Sequence, residues 1–357
     1  LEVWQKVFLK DADFMEDTHG IAGCVICHSG NSAVDDKDAA HIDVVRDPSP
    51  ISCLRCHENI VKQDETSMHT TLEGMQYSLE QRGGDLSDCS TLDQAFDNHC
   101  SSCHSTCGQC HISRPANLEG GLISSHKIKN PPSMTNTCVA CHGARAGNEY
   151  MGNNEGMPGD VHWMKYGMTC SKCHGAEMHG TPEEANDRYE NNTTAQCNDC
   201  HFELLTSRTD IEQHNVHLDD LSCQVCHSVA YKNCYGCHVE LVDGQTHFST
   251  ESSTIEFKIG YNPDISADYP SEYVVVRHVP VSPDTFAYYG NDLLPDFDSQ
   301  PTWKMATPHN IQLKTPQNES CNACHGNSNL FLTQSDVASN EREANKPVIV
   351  IRIPEPK

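Results

Sequence analysis

Apolar residues along this chain fall into short, broken runs. The longest, such as Val348 to Ile351, are far too short to cross a bilayer, which takes roughly 20 consecutive apolar residues in a helix. Ile255, Phe257 and Ile259 alternate with polar neighbours, the period of a strand with one face buried. Tyr273 to Val276 is a compact strand-like run, and the polar tail beyond position 325 gives way to another at Val348 to Ile353. This pattern predicts a small β-rich insert over residues 251–320.

Composition changes the picture. Hydrophobic residues reach 37%, but 21 of the 357 residues are cysteines and only 6% are aromatic. That is thin for ordinary aliphatic cores in a chain of this length, so another material is expected to fill the interior. Lys and Arg number 24 against 50 Asp and Glu, a formal charge of −26, which would repel nucleic acid or an anionic membrane face. The chain opens Leu-Glu-Val-Trp without Met, a basic segment or an apolar segment, as expected of an exported chain whose signal peptide has been removed.

Twenty of the cysteines form C-x-x-C pairs, and histidine follows every pair at once. The sites are Cys24/Cys27/His28, Cys53/Cys56/His57, Cys100/Cys103/His104, Cys107/Cys110/His111 and Cys138/Cys141/His142. They continue with Cys170/Cys173/His174, Cys197/Cys200/His201, Cys223/Cys226/His227, Cys234/Cys237/His238 and Cys321/Cys324/His325. On a helical turn, positions i, i+3 and i+4 share a face. Two thiols can then add to the two vinyl groups of a haem while the histidine rises beneath the iron, which is the c-type attachment signature. Zinc sites, disulfide frameworks and redox dithiols also use C-x-x-C, but none requires a histidine next. With histidine at 22 of 357 residues, ten such successions by chance are on the order of 10⁻¹². Ten covalent haems c are therefore expected, and with them a fold of mostly irregular chain and short helices wrapped around a haem chain, plus the small β-rich segment near the carboxy terminus.

Haem iron takes two axial ligands, and the second decides between electron transfer and chemistry at the metal. Twelve histidines lie outside the motifs, two more than ten irons need. The expected distal ligands are His19, His41, His69, His99, His126, His162, His217, His247, His278 and His309. His41, His126 and His309 each precede the next motif cysteine by 12 residues. His179 and His214 are the expected spares, being close in sequence to His174 and His217. Cys89, outside every motif, is expected to be a buried free thiol.

By organisation, residues 1–250 hold nine motifs, 251–320 form the insert without a motif, and 321–357 carry the tenth motif and a tail. Two close couples stand out, CSSCHSTCGQCH at 100–111 and the pair of motifs between Cys223 and His238. Offsets of 7 and 11 residues return to one face of a continuous helix after about 10 and 16 Å, so each couple is expected to hold its haems as neighbours.

The motifs, spanning residues 24–325, resemble those of multihaem c-type cytochromes. The stretches YVVVRHVPV (273–281), PTWKMATPHN (301–310) and CNACHG (321–326) are similar to the carboxy-terminal part of such cytochromes from metal-reducing microbes. Some of those are surface proteins, and some polymerise into filaments, or nanowires, in which stacked haems run unbroken and a neighbouring subunit can supply one histidine. The resemblance implies an electron carrier rather than an enzyme, extracellular or at the cell surface, polymerising through its termini, with His19 or another terminal histidine offered to a neighbour. Its partners would be other cytochromes or extracellular acceptors such as metal oxides. Three alternatives stand beside it: a periplasmic decahaem cytochrome within an outer-membrane porin, a soluble shuttle, and a reductase of small nitrogen or sulfur compounds with one open haem.

Overall fold

The computed structural model describes residues 2, 5, 12–101, 105–115, 120–180, 194–203 and 211–357. Cys103 and His104 of the third motif lie outside them. Short helical turns recur at the motifs because the signature closes one turn of backbone. The N–H of His57, His174, His201 and His325 donates to the carbonyl of the first cysteine in its own motif at 2.8–2.9 Å. Cys24–His28, Cys107–His111 and Cys223–His227 are helical throughout. Hydroxyl residues start several of these turns: Thr106 makes a reciprocal capping box with Gln109, and Ser320 accepts from the Ala323 N–H. Asp36, in the acidic run at 35–38, caps Lys37–Ala40 by accepting from the Ala39 N–H at 2.9 Å.

The chain gathers into two compact units, each discontinuous in sequence. The first comprises Leu1–Glu73, Ser101–Gly143 and Thr169–Asn186. Among its described residues the buried apolar side chains are Val61, Leu72 and Met134, while Ile21, Val25, Ile26, Val45, Ile51 and Leu54 stay exposed, Ile51 at 75%. So few buried groups cannot offset the entropy of ordering the backbone. Polar ties hold the segments together instead: Gln63 Nε2 donates to the Gly180 carbonyl at 2.6 Å and Ser67 Oγ to that of Met178 at 3.2 Å.

The second unit comprises Gly74–Cys100, Ala144–Met168 and Asp187–Lys357 and has an apolar core of its own. Strands β1 (Tyr231–Val242) and β2 (Gln245–Glu256) form an antiparallel hairpin; β3 (Ile259–Tyr261), β4 (Tyr273–His278) and β5 (Trp303–Met305) form a second antiparallel sheet with β4 central. Ile259 pairs with Val275 and Val276 with Met305. Alternation along β4 feeds two clusters: Val274 and Val276 pack with Trp303, Met305, Leu332 and Val348, and Val275 with Val225, Tyr231, Phe257 and Ile259. Tyr231 Oη donates to the carbonyls of Lys258 and Val276 beneath the sheet.

The fold is thus of mixed class, short helices with small antiparallel sheets towards the carboxy-terminal end. Two details depart from the sequence reading. Strand structure begins at Tyr231, ahead of the expected insert, so the ninth motif lies on β1 and not on a helical turn. Residues three apart on a regular strand face opposite sides. Gly236, at φ +53°, breaks the alternation between Cys234 and Cys237, and the buried positions shift from Tyr231 and Asn233 to Gly236 and Val239. Val348 to Ile353 is not a strand. It docks on the sheet through Tyr261 N–H to the Val348 carbonyl at 2.9 Å and Val350 N–H to the Leu332 carbonyl at 2.8 Å. Among the described residues, no helix is long and apolar enough to cross a membrane.

Candidate functional site

Seven times among the described residues, the fold brings one histidine of a C-x-x-C-H motif against one histidine from outside the motifs. In the first unit the pairs are His57 with His19, His28 with His126, His142 with His69, and His111 with His179, with ring centres 6.3, 6.2, 6.1 and 6.1 Å apart. In the second unit they are His201 with His162, His227 with His214, and His325 with His217, at 6.2, 6.0 and 6.2 Å. Direct stacking would bring rings closer than this. A nitrogen ligand sits about 2 Å from a bound metal and the ring centre roughly 1 Å further back, so two imidazoles on opposite sides of one ion have centres about 6 Å apart.

On seven of these fourteen rings the other nitrogen is held away from the pair. Nδ1 of His28 lies 2.8 Å from the Val45 carbonyl, that of His111 2.6 Å from Lys129, that of His217 2.8 Å from Gln213, that of His227 3.1 Å from Gln312 and that of His325 3.0 Å from Glu355. Nδ1 of His19 and of His162 lies at 3.1 and 3.0 Å from the carboxylates of Asp17 and Asp160. With Nδ1–H donating outward, the lone pair is on Nε2, the arrangement by which proteins orient metal-binding imidazoles. Burial holds His126 and His214 below the ordinary histidine value, in the neutral form that can bind a metal.

These pairs fit a haem better than a bare ion. Among the described residues, no group of three or more His, Cys, Asp or Glu is placed to hold a metal, whereas a zinc site needs three or four protein ligands. Two axial imidazoles suffice where a porphyrin supplies the equatorial nitrogens. No disulfide joins the described cysteines, so the pairs are not used up in cross-links. Some of the aliphatic side chains exposed in the first unit lie within the motifs, where they could line a macrocycle: Val25 and Ile26 in the first, Leu54 in the second. Some first-cysteine thiols meet across motifs. A hydrogen bond from Cys107 pulls Cys53 down to about 6, one from Cys138 pulls Cys170 to about 7, and one from Cys197 pulls Cys223 to about 7.

The attachment cysteines are not all enclosed to the same degree. Cys56, Cys141, Cys173 and Cys200, the second cysteines of the second, fifth, sixth and seventh motifs, are exposed on the polypeptide, as are the first cysteines Cys24, Cys223 and Cys321. The second cysteines Cys27, Cys110, Cys226, Cys237 and Cys324 are half-buried, so the two halves of a motif are not enclosed alike throughout. Exposure leaves a thiol within reach of a vinyl group, but these four residues contribute nothing to an apolar core.

Placement of the non-motif histidines differs from expectation in named places. His179 and His214, the expected spares, are both in pairs; three residues apart on Glu212–His217, His214 and His217 face two different motifs. His19 faces His57 of its own chain. His278, an expected ligand, is fully buried with Nδ1 3.0 Å from the Cys234 carbonyl and Nε2 3.0 Å from Glu341 Oε2. Both its nitrogens face acceptors, so neither offers a lone pair to a metal. His99 is buried with Nε2 2.8 Å from the Tyr289 hydroxyl. His41 and His247 are exposed, their Nδ1 atoms 2.7 Å from the Lys37 carbonyl and 3.1 Å from Glu240 Oε1. The His309 N–H donates to Glu149 Oε2 at 3.2 Å. His238 Nε2 lies 3.5 Å from Glu251 Oε1. Cys89 is a half-buried free thiol just ahead of the helix Ser90–His99.

Sequence reasoning missed the carboxylates that orient His19 and His162. Both precede their histidine by two residues, Asp17-Thr-His19 and Asp160-Val-His162, and each also caps a helix start. That D-x-H spacing is a readable signal. Compared with protein-family models, with curated proteins and with solved structures, the chain matches none.

Proposed function

We propose that this chain is a multihaem electron carrier in which each motif holds one haem c through its cysteines, with the motif histidine on one side of the iron and a second histidine on the other. The observation that carries the proposal is the pairing itself: seven pairs, each one motif and one non-motif histidine, all at 6.0–6.3 Å. When bound, haem supplies reversible one-electron chemistry at its iron. The residues of the chain do the rest. Paired imidazoles would hold the iron from two residues of the chain, which favours electron carriage over substrate binding at the metal. Carbonyls and carboxylates on Nδ1 set the tautomer and ring orientation. Aliphatic side chains exposed at the motifs would exclude water from the face of a bound haem. The charge of −26 favours solubility and docking to basic partners or positive surfaces. Work outside the cell, in a filament or surface assembly, extends the proposal on the likeness of residues 273–326 to cytochromes of metal reducers.

Intact mass together with the pyridine haemochrome spectrum tests attachment: ten covalent haems are expected, and a chain without covalent haem would sink the proposal. Low-temperature EPR with spin quantitation tests ligation. Only low-spin irons are expected; one high-spin iron would mark an open site and favour a reductase. Ring planes are nearly parallel at His111–His179, 5° apart, and nearly perpendicular at His69–His142, 83° apart. Two classes of low-spin signal should therefore be resolved. Electron microscopy of the concentrated holoprotein, showing filaments or isolated particles, decides the assembly.

A further inference from the structure

Hydrogen bonds link the motifs in space, and the links are of two kinds. In one, a side chain just ahead of a motif donates to the carbonyl of another motif's second cysteine. Ser52 Oγ donates to Cys27 at 2.8 Å, Thr137 Oγ1 to Cys110 at 3.4 Å, and Thr315 Oγ1 and Asn318 Nδ2 to Cys226 at 2.6 and 3.0 Å. These join the first motif to the second, the fourth to the fifth, and the eighth to the tenth. In the other kind, the first cysteines of two motifs stand sulfur to sulfur, near enough for the unattached thiols to hydrogen-bond: Cys53 with Cys107, Cys138 with Cys170, Cys197 with Cys223. These join second to fourth, fifth to sixth, and seventh to eighth.

Other contacts agree. The fourth motif's turn is fastened ahead of the second by Gly108 N–H to Ser49 Oγ at 2.9 Å and Thr106 Oγ1 to Asp47 Oδ2 at 3.0 Å. His214 and His217, on one helical turn, face the eighth and tenth motifs side by side. Among the described residues, the third and ninth motifs take neither kind of link. Cys100 instead lies within electrostatic reach of Cys237. His99, just before Cys100, packs edge-on against Phe248 at 5.4 Å, and Phe248 is the cross-strand partner of Val239, next to His238.

Resting on the haem proposal above, we infer that the bound groups succeed one another as first, second, fourth, fifth, sixth in one unit and seventh, eighth, tenth in the other, with the two kinds of link alternating at each step, and that the third and ninth motifs form a pair of their own. The close couples of the sequence are thereby shared out. The fourth motif has the second and fifth as its linked neighbours, and the eighth has the seventh and tenth. Losing the fourth or eighth group interrupts a series, whereas losing the third or ninth leaves both series continuous.

A cryo-EM reconstruction of the holoprotein reads this order from iron-to-iron distances. The two nearest irons to the fourth should be the second and fifth, the two nearest to the eighth should be the seventh and tenth, and the third and ninth should be nearest each other. Chain order, with the third beside the fourth and the ninth beside the eighth, would overturn the inference. The parent proposal fails differently, through an intact mass that lacks covalent haem. A second readout uses holoproteins that have each lost one haem by mass. Cys234→Ala with Cys237→Ala should alter the EPR signal of one remaining site, and Cys107→Ala with Cys110→Ala should alter two. The same number of altered signals in both variants would count against the order.

Discussion

Around His278, the Glu341 carboxylate also accepts from Thr302 Oγ1 at 2.8 Å, and Asn345 Nδ2 donates to Thr302 Oγ1 at 2.8 Å. His278→Ala should leave the haem count and the low-spin EPR signals unchanged while costing about 3 kcal/mol in a thermal or denaturant melt, because it strands a buried carboxylate. His126→Ala should do the reverse and convert one iron to high spin. Burial pushes Glu341 up, but the hydrogen bond and charge of His278 prevail and hold it below the ordinary carboxyl value. A depressed folded value means that stability is present above the ordinary carboxyl range and lost as pH falls through the folded value. The melting temperature should therefore fall on acidification, and Glu341→Gln should flatten that fall; an unchanged slope in the variant would remove Glu341 as its source. Asp160 is the second such residue. Its two carboxylate oxygens accept from the N–H groups of His162, Trp163 and Ile311 and from His162 Nδ1. Asp160→Ala should cost about 2–3 kcal/mol and change the EPR signal of one site, that of His201.

At the scale of elements, the motifs themselves explain how much could be read in advance. C-x-x-C-H encodes a helical turn through its own spacing, and most described motifs adopt one, because the closing bond from histidine N–H to cysteine carbonyl is local. The hydrophobic pattern of β4 likewise located a strand, since alternation depends only on neighbouring residues. What could not be read depends on distant partners. The ninth motif is a strand because β2 pairs along its length, from Tyr231 opposite Glu256 to Val242 opposite Gln245, a tertiary choice that overrides local spacing. Proximity in sequence did not foresee that His179 and His214 stand in ring pairs, because ring pairing is decided by the fold and not by separation along the chain. The exposure of Cys56, Cys141, Cys173 and Cys200 has the same origin, since spacing fixes which thiols share a turn but not what packs over them. Gly236 is where the ninth motif's strand is most sensitive to change. A methyl group there would stand 2.4 Å from Glu251 Cδ at a φ that side chains resist. Gly236→Ala should cost about 1 kcal/mol and reduce occupancy of the ninth site alone, measurable as a nine-haem species in the intact mass.

At the scale of the molecule, the two units differ in what stabilises them. The second has buried strands and aromatic residues around β3, β4 and β5; the first has three buried apolar side chains among its described residues. Hydrogen exchange on chain produced without haem attachment should show protection surviving at β4 and β5 and absent across 12–73 and 120–143. Equal protection in both units would show that the first does not depend on its cofactors. The ring pairs of the first unit also interlock: His28 waits for His126, His69 for His142 and His111 for His179, while His57 finds His19 behind it. A chain emerging amino terminus first would thus expose several one-sided sites at once. Halted just short of residue 126, it would hold a finished pair only at His57, with His28 and His111 each still lacking the second imidazole. On the haem proposal, maturation of this unit would therefore be a late and concerted event rather than a site-by-site one. Loop closures of such length make it slow, and a stalled intermediate would present half-ligated irons open to any passing small ligand.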